Sequence, residues 1–268
     1  MRSDVSSAWE ERSATYGASL KSVLFKGMPE VANEHFHACH LRFILECLKD
    51  AEEDLSIFDV GCGYGRLSVP LIEKFPEAKI IGMDMSPTYA RLYHEITGRE
   101  AFSGTIETIP HWTGPFDFII CVTVLMYMER KELSLSVSRL LNLLKPGGKL
   151  IIIEPHASGL PFQTGCGLLA PHRRQRADKA IHTGGDCFTN GEMKTIVSKA
   201  GGIIIREQRI PATTIFFLPI YVTGNILPAR LASRIFRGIG FLDGLFKHMP
   251  LPSLWTFLSV QRDTDRFT

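Results

Sequence analysis

Four short, almost wholly apolar runs recur through the middle of the chain, each followed by a turn and a longer amphipathic stretch: SIFDV, AKIIGMD, FDFIICV and KLIIIEP. Because successive side chains in a strand point to opposite faces, runs that are apolar at nearly every position read as strands buried on both sides, with helical segments crossing between them. The pattern predicts an α/β, doubly wound and mostly parallel sheet. Composition agrees: 45% hydrophobic and 22% charged residues exclude a disordered, collagenous or coiled-coil chain. A length of 268 residues permits one large domain or one domain with a sizeable insertion. A net charge of +2 gives no global case for wrapping nucleic acid, so any basic function is local.

The six cysteines, at 39, 47, 62, 121, 166 and 187, include no CxxC pair. This disfavours a zinc ribbon or a thioredoxin-type site, and no metal site is expected; free thiols in a reducing compartment are the simpler reading. The opening MRSDVSSAWEERSATYG lacks the apolar centre of a signal peptide, so a cytoplasmic protein is expected. Glu34 to Leu48 has a near-helical apolar period through Phe36, Leu41, Ile44, Leu45 and Leu48, and reads as a covering helix. A later helix, from near Arg130, is expected to close at Lys145-Pro146-Gly147-Gly148. Thr189 and Glu192 have capping-box spacing and open another helix, running to Ala200-Gly201-Gly202. GIIIREQRI and the final WTFLSVQR read as strands separated by more than forty residues.

The segment richest in chemistry is Phe58-Asp59-Val60-Gly61-Cys62-Gly63-Tyr64-Gly65-Arg66, a strand that ends in glycines and leads into a helix. The glycines allow a tight turn and close approach by a ligand, pointing to a nucleotide or nucleoside. A dinucleotide fingerprint would need glycine at position 66, where this chain has arginine, and Asp59 would sit badly beside a pyrophosphate. A cationic ligand fits better.

Asp59-x-Gly61-x-Gly63-x-Gly65 resembles motif I of the class I S-adenosylmethionine-dependent methyltransferases. IIGMDMSP, SGTIETIP, FDFIICVTVLMYM and RLLNLLKPGGKLIIIEP resemble, in order, the family's second-strand acid, adenine loop, fourth-strand motif and fifth-strand unit. The resemblance implies a seven-stranded sheet with the last strand antiparallel. It also implies one domain over 1–268: a helical lid over 1–54, a cofactor-binding core over 55–210, an insertion over 211–254 and a final strand over 255–262. Its cofactor is S-adenosylmethionine. Position by position, Gly61, Cys62, Gly63 and Gly65 should follow the methionine part, Asp59 its ammonium, and Asp84, with Met85 beside it, the ribose diol. Thr105 and Ile106 should line the adenine, and Cys121 should face the methionine end. Trp9 and Tyr16 resemble an aromatic lid.

The resemblance implies methyl transfer by in-line displacement, in which the protein mainly aligns the acceptor. A hydroxyl acceptor needs a base, and the candidates beyond strands four and five are Tyr127, Glu154 and His156, with His182 and Asp186 as a second pair. The acceptor is expected to be a small molecule or a lipid- or sugar-linked hydroxyl, O-methylation standing ahead of N- or C-methylation, with no nucleic-acid substrate; a non-catalytic cofactor-binding scaffold is the alternative. His172, Arg173, Arg174, Arg176 and Lys179 could attract an anion, against a reading as a solvated helix face. Leu231, Ile235, Ile239, Leu242 and Phe246 form the expected apolar stripe of a basic helix that also carries Arg230, Arg234, Arg237 and Lys247. Such a helix suits peripheral membrane contact, packing on the protein's own sheet, or a homodimer contact.

Overall fold

The computed structural model describes residues 3–110, 113–159, 185–216 and 226–263. Seven strands form one sheet in the order β3-β2-β1-β4-β5-β7-β6. They are β1 Ser56–Val60, β2 Lys79–Asp84, β3 Ala101–Ser103, β4 Phe116–Val122, β5 Leu144–Pro155, β6 Gly202–Gln208 and β7 Trp255–Arg262. The first five pair in parallel, and β7 runs antiparallel to both β5 and β6. The expected doubly wound sheet with an antiparallel last strand is therefore present.

Apolar side chains alternate between two cores. Ile57, Phe118, Ile120, Ile151 and Ile153 face one layer, which holds helix α3, Glu30–Cys47. Phe58, Ile119, Cys121, Leu150 and Ile152 face the other, which holds α6, Leu133–Asn142, and α7, Asn190–Lys199. This two-sided burial is why polar residues are nearly absent from the strand centres. The remaining helices are α1 Ser3–Tyr16, α2 Leu20–Val23, α4 Ser68–Lys74 and α5 Pro87–Thr97. Two more, α8 Pro211–Ile215 and α9 Ala229–Phe246, lie between β6 and β7.

Local chemistry sets the boundaries. In α7, Glu192 Oε2 accepts from Thr189 N at 2.7 Å while Glu192 N donates to Thr189 Oγ1 at 3.2 Å, completing the capping box. Helix α6 stops at Asn142, short of the expected proline–glycine turn, because Lys145-Pro146-Gly147-Gly148 already belongs to β5. A Cβ on Gly148 would stand 2.9 Å from the Phe116 carbonyl oxygen, so glycine there lets β5 lie tightly against β4.

The sheet order reverses between β1 and β4, which opens a crevice at their carboxyl ends. Helix α1 is anchored beside it. Glu10 Oε2 accepts from Ser86 Oγ at 2.5 Å, and Glu10 Oε1 accepts from Thr88 Oγ1 at 2.5 Å, at the start of α5.

Candidate cofactor cleft

The crevice is a cleft of about 770 Å³ whose wall includes Trp9, Asp59, Gly61, Gly63, Asp84 and Tyr127. Its floor is the turn after β1. Gly61 has φ of +72° and Gly63 of +54°, left-handed conformations that glycine adopts without a Cβ penalty. A Cβ on Gly61 would lie 2.4 Å from Val124 Cγ2, filling the cradle. Gly65 also has a positive φ, but its missing Cβ makes room for Tyr93 and Thr97. It serves helix packing and does not line the cleft.

Asp84, at the end of β2, is buried, with its carboxylate at the mouth of this loop. Its Oδ2 accepts from Gly63 N and its Oδ1 from Ser86 N, each at 2.9 Å. Both oxygens retain a lone pair for a ligand, and the same carboxylate fixes the glycine loop. Burial pushes its pKa up to about 6 despite those two donors. Asp59 is likewise raised to about 6 by burial, and accepts from Ser68 Oγ at 2.7 Å. Two carboxylates facing one cleft disfavour a phosphate and suit a nucleoside with a positively charged arm.

Cys62, Met85, Thr105 and Ile106 also line the cleft. Cys121 is fully buried and Tyr16 is 37% exposed, and neither reaches its wall; Trp9, from the same helix as Tyr16, does. Trp9 meets Tyr127 edge to face at 5.6 Å and Tyr89 at 6.3 Å, making an aromatic roof.

The candidate bases divide. Glu154 is fully buried behind the cleft, its carboxylate accepting from Val124 N at 2.9 Å, Leu125 N at 2.8 Å and Met126 N at 3.3 Å. Burial raises it to about 8. With both oxygens committed to the turn after β4, it acts as a clamp on that turn. His156 turns toward Ser158, whose Oγ lies 2.6 Å from its Nδ1, and it does not line the cleft. Asp186 pairs with Arg130 at 3.9 Å. His182 and the basic run from His172 to Lys179 fall outside the described residues. Tyr127 is the candidate that faces the cleft.

Two wall residues were given no role from the sequence. Thr123 is a non-glycine with φ of +57°, a conformation costly for a β-branched side chain. Arg66 contacts His37 Nδ1 at 3.2 Å and His40 Nδ1 at 3.1 Å. Burial, and then the guanidinium, holds His37 down to about 4 and His40 well below the usual imidazole range, so both rings are neutral. Its place just after the last glycine was the available clue.

Comparison with known proteins supports the same reading. A family model described as a methyltransferase domain matches residues 57–148, from β1 into β5. The tRNA N(3)-methylcytidine methyltransferase of Drosophila melanogaster is 30% identical over 110 residues, covering 36% of this chain and 33% of that protein. The demethylmenaquinone methyltransferase of Deinococcus radiodurans is 27% identical over 111 residues, covering 39% of this chain and 45% of that protein. The match thus spans between a third and a half of the length of these relatives. Among solved structures, a magnesium protoporphyrin IX methyltransferase from Synechocystis with bound SAH shares the fold. Its TM-score is 0.56 at 17% identity, covering 97% of this chain and 95% of that one. Residues 57–148 thus match a methyltransferase domain, and with its strand order and its glycine loop pinned by Asp84 the chain has the fold of S-adenosylmethionine-dependent methyltransferases of solved structure.

Proposed function

We propose that this protein transfers a methyl group to an oxygen of a small acceptor that carries negative charge. S-adenosylmethionine, when bound, supplies an activated methyl on a sulfonium. The chain's own residues bind and orient: Asp84 offers acceptors to a vicinal diol, Asp59 offers charge to an ammonium, and Thr105 and Ile106 bound the far end of the cleft. Trp9 and Tyr127 cover the mouth and limit water. Tyr127, in the turn after β4, is the proposed contact that orients the acceptor, its phenol O–H donating a hydrogen bond to an acceptor oxygen that arrives already ionised.

The observation that carries the acceptor reading is Arg66. Among the described residues its hydrogen bonds go to two neutral imidazoles and to no carboxylate, Asp59 acts on its charge without a hydrogen bond, and Arg66 is among the residues that line the cleft. A buried guanidinium without a hydrogen-bonded anion favours a carboxylate on the incoming molecule. Incubation with methyl-deuterated S-adenosylmethionine and a small-metabolite extract, followed by mass spectrometry, should place the label on oxygen of an anionic metabolite. Label on nitrogen or carbon would replace this reading. An absence of labelled product would favour the non-catalytic scaffold.

A second reading, that the protein works at an anionic membrane surface, is favoured by α9. Its buried side is Ala232, Phe236, Ile239 and Asp243, whereas Leu231, Ile235 and Leu245 are exposed on another side. Arg230, Arg234 and Arg237 flank that outer ridge, also exposed. The one acid of the helix, Asp243, faces inward, so the outward face combines apolar area with positive charge alone. No described helix is long and apolar enough to cross a membrane.

A further inference from the structure

A second cluster of reactive side chains lies away from the cofactor cleft, where the covering helix α3 meets the insertion helix α9. His35 and Cys39 are one turn apart on α3 and point the same way; Asp243 comes from α9. One ligand atom from each lies within 4.8 Å of the others, and all three residues are buried. Nothing in the family resemblance asks for these residue types here, and none lines the cofactor cleft.

We propose that His35, Cys39 and Asp243 form a metal site, suited to zinc, that ties the amino-terminal cover to the carboxyl-terminal insertion. Geometry is the first support. His35 Nε2 and Cys39 Sγ are 3.7 Å apart, too far for a strong hydrogen bond. That spacing is close to the roughly 3.5 Å separating a nitrogen and a sulfur on a tetrahedral zinc with ordinary bond lengths.

The donor set is the second support. Thiolate, imidazole and carboxylate together suit a borderline-soft divalent cation better than magnesium or calcium, which take oxygen ligands. Charge is the third: one thiolate and one carboxylate cancel a divalent charge, leaving the neighbouring Arg42 guanidinium, at the edge of the cluster, as the one uncompensated cation among the described residues there.

The surroundings permit it. Thr213, on α8, supplies a hydroxyl within the same cluster, 2.9 Å from His35 Nε2 and hydrogen-bonded to Asp243. Cys39 and Asp243 also line a separate surface cleft, together with Arg42, Glu46 and Lys247, so the cluster borders solvent-accessible space. Gly240 of α9 lies against the same cluster, its Cβ position in van der Waals range of His35 Cε1.

The competing arrangement is a metal-free hydrogen-bonded pin of His35, Thr213 and Asp243, with Cys39 as a buried thiol. Cobalt(II) titration of the chelator-treated full chain separates the two. The metal site predicts one cobalt per chain, a thiolate-to-cobalt charge-transfer band and a higher melting temperature in zinc than in chelator. Cys39→Ser should lose the band, and Asp243→Asn should weaken cobalt binding at least tenfold.

A wild-type chain that takes up no cobalt and melts identically in zinc and chelator overturns the proposal, whatever the variants do. A band that survives in folded Cys39→Ser also overturns it, because another thiol is then the ligand.

Discussion

Thr123 is held where a threonine does not settle by itself. Its φ of +57° costs on the order of 1–2 kcal/mol for a residue with a Cβ. The cost is offset next door: Glu154 collects the N–H groups of Val124, Leu125 and Met126, which would otherwise be left without partners behind the cleft. The strained residue and the turn after it put Thr123, Val124 and Tyr127 on the cofactor wall. Glu154 is therefore a positioning residue, and Glu154→Ala should lower stability by about 3 kcal/mol or more, since several buried donors lose their acceptor. Chemical denaturation checks this. An unchanged unfolding free energy with turnover abolished would instead return Glu154 to the role of base. A lone Glu at a strand end looks the same in sequence whether it clamps a turn or moves a proton; what decides is which backbone groups converge on it, and these come from a different strand.

At the scale of elements, the strands were legible because two-sided burial leaves a nearly unbroken apolar run, as in Phe118 to Val122 and Leu150 to Ile153. Helices were legible where a capping box or a helix-stopping residue marks them, and less so where tertiary contacts choose the face. Helix α9 is the clear case. The apolar stripe read from spacing included Leu231, Ile235 and Phe246, yet these are exposed and the inward stripe is Ala232, Phe236, Ile239 and Asp243. The buried face is set by Ala232, Phe236 and Ile239 joining the core that holds α3, and by Asp243 bonding to Thr213. Spacing finds an apolar ridge but not which side it serves. If the outer ridge meets lipid, the triple change Arg230→Glu, Arg234→Glu, Arg237→Glu should weaken sedimentation with anionic vesicles by more than about a hundredfold, at roughly 1 kcal/mol per lost cation. Equal sedimentation of the two proteins would remove the membrane reading, and concentration-dependent self-association through the ridge would replace lipid with a second copy.

Across the whole molecule, the amino-terminal segment covers the cofactor cleft and the carboxyl-terminal insertion packs behind it on α3. Helix α1 is tied to α5 through Glu10, and α3 packs against α9 over the sheet. Only the middle carries family-like motifs, which is why the glycine loop and Asp84 were readable in place, whereas Trp9 and Tyr127 were named without their meeting at the mouth and Arg66 without its two histidines: the three come from separate elements and meet only in the folded chain. The account turns on Asp84 as both the anchor of the glycine loop and the acceptor for the cofactor's diol. With its pKa raised to about 6, it is ionised at neutral pH and protonates as the solution is acidified, losing acceptor capacity; affinity should therefore fall as pH drops through about 6. Asp59, raised to the same region, contributes in the same direction.

Calorimetric titration with S-adenosylmethionine, at about pH 7.5 and about pH 5, on wild-type protein and Asp84→Ala tests this most directly. The prediction is a single site of order micromolar affinity at the higher pH, weakened at least tenfold by acidification and by roughly 1.5–3 kcal/mol in the variant. Equal affinity in wild type and a folded Asp84→Ala would contradict the account.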